Sequence, residues 1–203
     1  MSNALFAPYA AIAKNLGKTG LSVTPHFLDA LEVKATRNDF DALEAAGSFN
    51  QGSIGRGLET QVETSIRKNK ICWIDRNLPT EAQAELWLKL DLLKRAFNQI
   101  LFLGLNEFEG HYASYPSGGY YKRHLDSFAT KPSRLVSIIL YLNHSWVEAD
   151  GGKLRVYQEC DQHIDVNPVG GTLACFLSRE SEHEVLESHQ FRYSFTGWFK
   201  REI

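Results

Sequence analysis

Short β-type segments follow one another closely from about residue 107 to the C-terminus, and no other feature of the sequence restricts the fold as strongly. Turn residues separate them, among them the glycine pairs at 151–152 and 170–171, which accept the backbone angles of tight turns. Repeated short strands between turns are typical of sandwiches and barrels, so the pattern predicts a jelly roll. The segments are HYASYP, RLVSIILYLN, KLRVY, HIDV, GTLACFL, HEVLE and FRYSFTGWF.

The first half of the chain has helical periodicity instead. From Pro79 to Leu103, apolar residues recur at steps of three and four, and Thr80 can cap the start of this helix ahead of Gln83. A second helical pattern covers residues 27–46, as one helix or as two. We therefore predict an α+β fold in which N-terminal helices support a double-stranded β-helix, the jelly roll.

The length of 203 residues suits one well-buried domain and falls short of what two independent domains usually need. We predict one domain over residues 1–203, with mainly helical support at 1–105 and the jelly-roll core at 106–203.

The net charge of −2, without a long run of Lys or Arg, indicates neither a nucleic-acid surface nor a membrane surface. The sequence shows no signal peptide and no apolar stretch of ~18 residues, so we expect a cytoplasmic protein, by default a monomer.

A polar, glycine-containing segment lies between the two helical patterns and ends at the strand-like run ICWI. Its composition predicts a long exposed finger or hairpin over about residues 48–70. Exposed loops on a rigid scaffold often recognise partners. We therefore expect this finger to contact a substrate or partner.

His124 and Asp126 are two residues apart in an extended segment, so both side chains point to the same face. If the strand that begins at His183 lies beside them, the three residues form a two-histidine, one-carboxylate site. Such a site leaves open coordination positions and suits non-haem Fe(II). Arg192 follows His183 by nine residues and can grip a carboxylate through two parallel hydrogen bonds.

Simpler interpretations apply to each of these residues taken alone. Arg192 could be a structural ion-pair partner, and of the neighbours Tyr120 and Tyr121 at most one can reach a site at His124, because adjacent strand residues face opposite ways. A single histidine on a strand is ordinarily a surface or hydrogen-bonded residue. We expect this of His26, His111, His144, His163 and His189.

The segments YPSGGYYKRHLD, RLVSIILYLNHSW, GGKLRV, SEHEV and FRYSFTGWF together resemble the Fe(II)- and 2-oxoglutarate-dependent oxygenases. Within that group they are most similar to the prolyl 4-hydroxylases related to the hypoxia-inducible-factor enzymes, in their bacterial form. The resemblance extends upstream to IRKNKICWI and covers roughly residues 66–200. Leu140 departs from it, because the animal enzymes have an aromatic residue there.

The resemblance implies a role for each matching position. His124, Asp126 and His183 would be the iron ligands, and Arg192 would bind the distal carboxylate of 2-oxoglutarate. The finger at 48–70 would be the substrate-recognition loop. The remaining assignments are Tyr141 sharing the distal carboxylate, Tyr115 near the metal-chelating end, Thr196 and Trp198 in the cosubstrate pocket, and Arg134 on the peptide substrate.

The resemblance also implies an activity: hydroxylation of a prolyl residue in a protein, with Fe(II), the cosubstrates 2-oxoglutarate and O2, and ascorbate as a candidate further cofactor. Analogy with bacterial members makes a Tu-type elongation factor the candidate substrate. Two alternatives stay open at this point. One is a hydroxylase of free proline or another small molecule, and the other is a non-enzymatic, cupin-like metal-binding module, which has no need of a dicarboxylate-binding Arg192.

Overall fold

The computed structural model describes residues 3–53, 63–127 and 133–202. The α-helices in these ranges are α1 (Asn3–Thr19), α2 (Ala30–Ala45) and α3 (Glu81–Leu101). The strands are β1 (Leu21–Thr24), β2 (Asn50–Gln51), β3 (Lys70–Trp73), β4 (Glu107–Tyr115), β5 (Gly119–His124), β6 (Arg134–Tyr141), β7 (Leu154–Tyr157), β8 (His163–Val166), β9 (Leu173–Leu177), β10 (His183–Ser188) and β11 (Arg192–Lys200). None of the three helices is both long enough and apolar enough to cross a membrane.

The strands form two antiparallel sheets. One has seven strands in the order β1-β9-β6-β11-β4-β3-β2, and the other has four in the order β5-β10-β7-β8. Apolar residues from both sheets pack against each other in one buried cluster, to which β6, β7 and β9 contribute. Two facing antiparallel sheets supported by helices are the predicted jelly-roll architecture, so the predicted fold class is confirmed.

Strand β11 shows how one sequence pattern serves two layers. Phe195 and Phe199 belong to the main core, which the helices α1 and α3 share with the seven-stranded sheet. The alternate positions Arg192, Ser194 and Trp198 point to the opposite face, because side chains along a strand alternate. That opposite face looks toward the four-stranded sheet and carries the polar residues of the site described below.

Capping boxes begin α2 and α3. Thr80 Oγ1 accepts from the Gln83 amide while the Gln83 side chain accepts from the Thr80 amide, as the sequence predicted. Asp29 and Glu32 make the same reciprocal pair at the start of α2. The pattern over residues 27–46 forms one helix, α2, and not two. At the point where an interruption was possible, the Thr36 hydroxyl donates to the Glu32 carbonyl at 2.8 Å and the helix continues.

The first half of the chain contributes more than helices. Strand β1 forms one edge of the seven-stranded sheet, and β3 with β2 extends the other edge. Neither α1 nor β1 was predicted from the sequence, although the buried residues Tyr9, Ile12 and Leu16 recur at helical spacing in α1. Part of the predicted finger at 48–70 is described as β2, β3 and the stem leading to β3, and residues 54–62 of it lie outside the described residues.

Replacing Phe195 by alanine should destabilise the protein by about 3–5 kcal/mol, because the side chain is 1% exposed and a cavity would remain. Its ring contacts those of Trp87, Phe108 and Tyr112 at centroid distances of 5.8, 6.2 and 5.7 Å. Urea unfolding measures the change. Phe191→Ala is the control, since Phe191 is 55% exposed and its loss should cost less than about 1 kcal/mol. Equal losses for the two variants would contradict the core position of Phe195.

Candidate active site

The pairing of β5 with β10 brings three potential metal ligands together. His124 is the last residue of β5 and lies directly opposite His183, the first residue of β10. Asp126 follows two residues after His124, and the ligand atoms of all three side chains lie within 4.8 Å of one another. The cluster therefore joins the end of one strand to the start of its neighbour.

Backbone carbonyls orient both imidazoles. His124 Nδ1 donates to the Lys122 carbonyl at 2.7 Å, and His183 Nδ1 donates to the Ser181 carbonyl at 3.1 Å. Since Nδ1 carries the proton in each ring, the Nε2 atoms are free to ligate. They lie 3.5 and 3.6 Å from the Asp126 carboxylate oxygens, which places all three donors around one point.

The charges at this point suit a divalent cation. Burial by itself would raise the pKa of Asp126, but His183, His124 and the Ser137 hydroxyl, which donates to Oδ2 at 2.7 Å, hold that pKa well below its usual range. Burial lowers the pKa of His183 to about 4, even though the Asp126 carboxylate acts to raise it. At pH 7 the site offers an anionic oxygen together with a neutral His183 imidazole, and metal binding requires ligands in these forms. Two nitrogens and one carboxylate fit Fe(II).

A second polar group, the guanidinium of Arg192, is buried on the face of the seven-stranded sheet that looks toward the four-stranded sheet and its metal-ligand cluster. Arg192 is 1% exposed, its Nε donates to the Gly152 carbonyl at 2.9 Å, and its Nη1 lies 3.5 Å from Ser194 Oγ. Its Nη2 has no hydrogen-bond partner, and the arginine ion pairs within the described ranges all involve other arginines. A buried cation with a free donor needs an anion, and a carboxylate matches the fork of a guanidinium.

Two tyrosines flank this arginine. Tyr115 lies directly opposite Arg192 on β4, and the centroid of its ring is 4.9 Å from the Arg192 Cζ. Tyr141, on β6, is at 5.1 Å, and its hydroxyl is buried without a partner. The Tyr141 hydroxyl and Arg192 Nη2 are thus two unused donors close together. Both would be satisfied by one bound carboxylate.

The other predicted site residues lie further along β6 and β11. Thr196 is half-buried and pairs with His111 on one side and Ile139 on the other. Trp198 is buried, with its indole Nε1 unpartnered. Arg134 forms an ion pair with Glu109 at 2.6 Å, and its guanidinium lies 3.7 Å from the centroid of the Trp198 ring. Arg134 thus lies beside Trp198, a residue of the predicted cosubstrate pocket, and its guanidinium is paired with Glu109.

Sequence reasoning left three residues of this region without a role. Tyr121 stacks on His124 with ring centroids 3.6 Å apart, and Arg67 lies 4.7 Å from the Tyr121 ring centroid. The Tyr120 hydroxyl donates instead to the Thr64 carbonyl. Alternation in strands limited the choice between the two tyrosines to one but could not decide which.

His111 was expected to be an ordinary surface or hydrogen-bonded histidine. Its ring is buried, donates to the Tyr112 carbonyl at 3.2 Å, and packs against the rings of Trp73 and Trp198. Burial lowers the pKa of His111 to about 3, so the ring is neutral at pH 7. Of the two ordinary roles expected for His111, surface or hydrogen-bonded, the structure shows the hydrogen-bonded one.

Comparison with known proteins gives a consistent result. Residues 110–200 match the sequence model of the 2OG-Fe(II) oxygenase superfamily. The solved prolyl-4-hydroxylase of Pseudomonas putida is 40% identical, with a TM-score of 0.87, and the match covers 96% of this chain and 100% of that one. The prolyl hydroxylase of Trichoplax adhaerens, solved in complex with a peptide fragment of the hypoxia inducible factor oxygen degradation domain, is 26% identical, with a TM-score of 0.86 and coverage of 98% and 94%.

A curated relative from a third organism matches nearly the whole chain. Prolyl hydroxylase EGLN3 of Homo sapiens is 28% identical over 196 residues, which are 91% of this chain and 80% of the human protein. The matches therefore extend from the jelly roll into the N-terminal helices and the finger.

Proposed function

Because the chain belongs to the 2OG-Fe(II) oxygenase superfamily and to its prolyl hydroxylases, we propose that its substrate is a prolyl residue within a protein. The enzyme class brings Fe(II) and the cosubstrates 2-oxoglutarate and O2 with it. The observation that carries the proposal is the pairing of a largely buried metal-ligand cluster with a buried arginine that has no ion-pair partner among the described residues. A binding module that only holds a metal has no use for the second of these.

The proposed roles follow from the geometry of the site. His124, Asp126 and His183 would ligate Fe(II) through two Nε2 atoms and one carboxylate oxygen. Arg192 and the Tyr141 hydroxyl would bind the distal carboxylate of 2-oxoglutarate, since both present buried donors without partners. Tyr115 and Thr196 are the further pocket residues in this proposal.

The iron, when bound, activates dioxygen so that 2-oxoglutarate is converted to succinate and CO2 and a prolyl C–H bond is converted to C–OH. The protein supplies position and environment for that reaction. Arg192, on the seven-stranded sheet, would hold one end of the cosubstrate between the two sheets and so restrict how its other end meets the metal ligands on the four-stranded sheet. The apolar residues Ile139, Leu154 and Val156, which are buried between the sheets, keep water out of the space they fill.

A protein substrate, as opposed to free proline, is supported by two observations. The Trichoplax relative was solved with a peptide, and the stem of the finger in this chain lies beside the metal-ligand cluster. In this proposal the finger contacts the peptide. Arg134 would contact it too, after exchanging its ion pair with Glu109 for the substrate. Trp198, whose ring lies beside Arg134, remains a residue of the cosubstrate pocket in this proposal.

The test is an incubation of the purified enzyme with Fe(II), 2-oxoglutarate and O2 and one of three substrates: a Tu-type elongation factor, free proline or a cell lysate. We expect succinate to form with a +16 Da mass change at a proline of the elongation factor. If another protein of the lysate is modified at a proline instead, the elongation factor is the wrong substrate but the proposed function stands. Succinate coupled only to free proline, or to nothing, would overturn it.

Three further expectations from the sequence remain predictions, each with its own test. A monomeric state is checked by light scattering, a cytoplasmic location by fractionation, and a role for ascorbate by its effect on the number of turnovers.

A further inference from the structure

The stem of the finger runs beside strand β5, which ends in the proposed iron ligand His124. The Lys68 amide donates to the Tyr120 carbonyl and the Lys122 amide donates to the Ile66 carbonyl, both at 2.9 Å. The Lys122 carbonyl in turn accepts from His124 Nδ1 at 2.7 Å. A single residue, Lys122, therefore connects the stem of the finger to the imidazole.

A second connection passes through side chains. Arg67, in the same stem, lies over the ring of Tyr121 with its Cζ 4.7 Å from the ring centroid. The Tyr121 ring is stacked on the His124 ring at 3.6 Å and an interplanar angle of 19°. A cation over an aromatic face and a parallel stack each favour one orientation of the rings involved. Arg67 therefore restrains the plane of the His124 imidazole through Tyr121.

The base of the finger holds Arg67 in this position. Arg67 is 8% exposed, its Nε donates to Asn69 Oδ1 at 2.6 Å, and its Nη1 donates to the Ser53 carbonyl at 3.3 Å. The Gly52 amide donates to the Asn69 carbonyl at 2.8 Å. We call Gly52, Ser53, Arg67 and Asn69 the finger base.

Gly52 is essential to the packing of the finger base. A Cβ atom at this position would lie 2.3 Å from Asn69 Oδ1 and 2.6 Å from Arg67 Nε. Both contacts are with the ends of flexible side chains, so an alanine would displace Arg67 and Asn69 and leave the backbone in place. The Gly52→Ala variant can therefore disturb Arg67 without changing its charge and without touching Tyr121 or a metal ligand.

We propose that the finger base is a positioning device for His124, so that order in the finger base and metal affinity are thermodynamically linked. This inference rests on the proposed function, which makes His124 an iron ligand. Groups that orient a ligating imidazole typically change metal affinity 10- to 100-fold when they are removed. Linkage is reciprocal: if the finger base strengthens metal binding, metal binding orders the finger base by the same factor.

The experiment measures Co(II) binding to the purified, metal-free protein by calorimetry, together with the visible spectrum of the bound Co(II), which reports ligand geometry. The variants are Arg67→Lys, Arg67→Met and Gly52→Ala. We expect each variant to weaken Co(II) binding by about tenfold and to change the spectrum. Tenfold is the lower limit of the range typical of groups that orient a metal ligand without binding the metal. Arg76→Met is the control: Arg76 also lies over an aromatic ring, the indole of Trp87, but Trp87 and Asp91, the ion-pair partner of Arg76, are both on helix α3, and the variant should behave as wild type.

A charge effect would give a different pattern from positioning. If Arg67 acted only by repelling the metal, Arg67→Met would tighten binding while Arg67→Lys and Gly52→Ala would leave it unchanged, and the inference would be overturned. Wild-type affinity and spectrum in all three variants would overturn it as well. If the wild-type protein binds no Co(II), the proposed metal site itself is wrong, and the proposed function is overturned before the inference about the finger base is reached.

Hydrogen exchange tests the reciprocal half of the linkage. Co(II) should slow exchange of the Lys68 and Lys122 amides in the wild-type protein, and should slow it less in Gly52→Ala. Equal slowing in both proteins would contradict the proposed link, because the metal would then order the stem independently of the finger base.

Discussion

Replacing Asp126 by alanine is expected to abolish metal binding and turnover. Asp126 is the one anion among the three ligands, and its carboxylate lies 3.5 and 3.6 Å from the two Nε2 atoms. Loss of an outer-shell partner already costs up to about 100-fold in metal affinity, so loss of a ligand should cost more than that. Calorimetry with Mn(II) measures the affinity, and succinate formation measures turnover.

A thermal shift separates this loss from misfolding. A metal that binds only the folded state raises its stability in proportion to the logarithm of its concentration. The melting temperature of the wild-type protein should therefore rise with Mn(II), and that of Asp126→Ala should not respond. Asp165→Ala is the matched control, since that carboxylate pairs with Arg155 on another strand and its loss should leave the metal response intact. Near-wild-type turnover of Asp126→Ala would contradict the ligand set.

The second large effect is expected at Arg192. In the Arg192→Ala protein the bound carboxylate of 2-oxoglutarate would lie in a desolvated pocket without its cation, a loss of roughly 3–5 kcal/mol. This corresponds to a decrease of hundreds-fold or more in cosubstrate affinity. Calorimetric titration of 2-oxoglutarate into the Mn(II)-loaded protein measures it.

Two further variants sharpen this result. Arg192→Lys keeps the charge but loses the planar fork, so its affinity should lie between those of wild type and Arg192→Ala. Arg155→Ala removes a surface arginine that is paired with Asp165 and should leave cosubstrate affinity unchanged. If Arg192→Ala bound 2-oxoglutarate as tightly as the wild type, the assignment of Arg192 would be wrong.

The parts of the site that could be predicted from the sequence are those with local or periodic signals. The spacing of His124 and Asp126 marked two candidate ligands close together, and in the structure they are, although β5 ends at His124 and Asp126 lies just beyond the strand. The choice of His183 as third ligand depended on its opening a strand-like run, and in the structure that strand pairs with the strand of His124. The capping signature at Thr80 was equally local, and the helix begins there as predicted.

Other features depend on contacts between distant segments, which a single sequence does not report. His111 is buried because Trp73 and Trp198 close over it from neighbouring strands. The position of Arg67 over Tyr121 depends on the finger stem pairing with β5, more than 50 residues away. Polar residues at such sites look like surface residues until the fold brings their neighbours together.

The N-terminal segment was missed for a different reason. Its apolar residues Tyr9, Ile12 and Leu16 had the required spacing, but Pro8 lies inside the helix and weakens a helical interpretation. Packing of α1 against α3 overrides that local preference. Strand β1 is four residues long and is defined by its pairing with β9, which no local pattern indicates.

The central claim is that the cluster at His124, Asp126 and His183 and the pocket at Arg192 together form one Fe(II)- and 2-oxoglutarate-dependent site. A single-turnover experiment tests it most directly: the protein is loaded anaerobically with Fe(II) and 2-oxoglutarate in the presence of its protein substrate, then exposed to O2, and succinate and the +16 Da product are counted. We predict one succinate and one hydroxylated proline per site, and neither in Asp126→Ala. An absence of succinate from the wild-type protein, or an equal yield from Asp126→Ala, would contradict the claim.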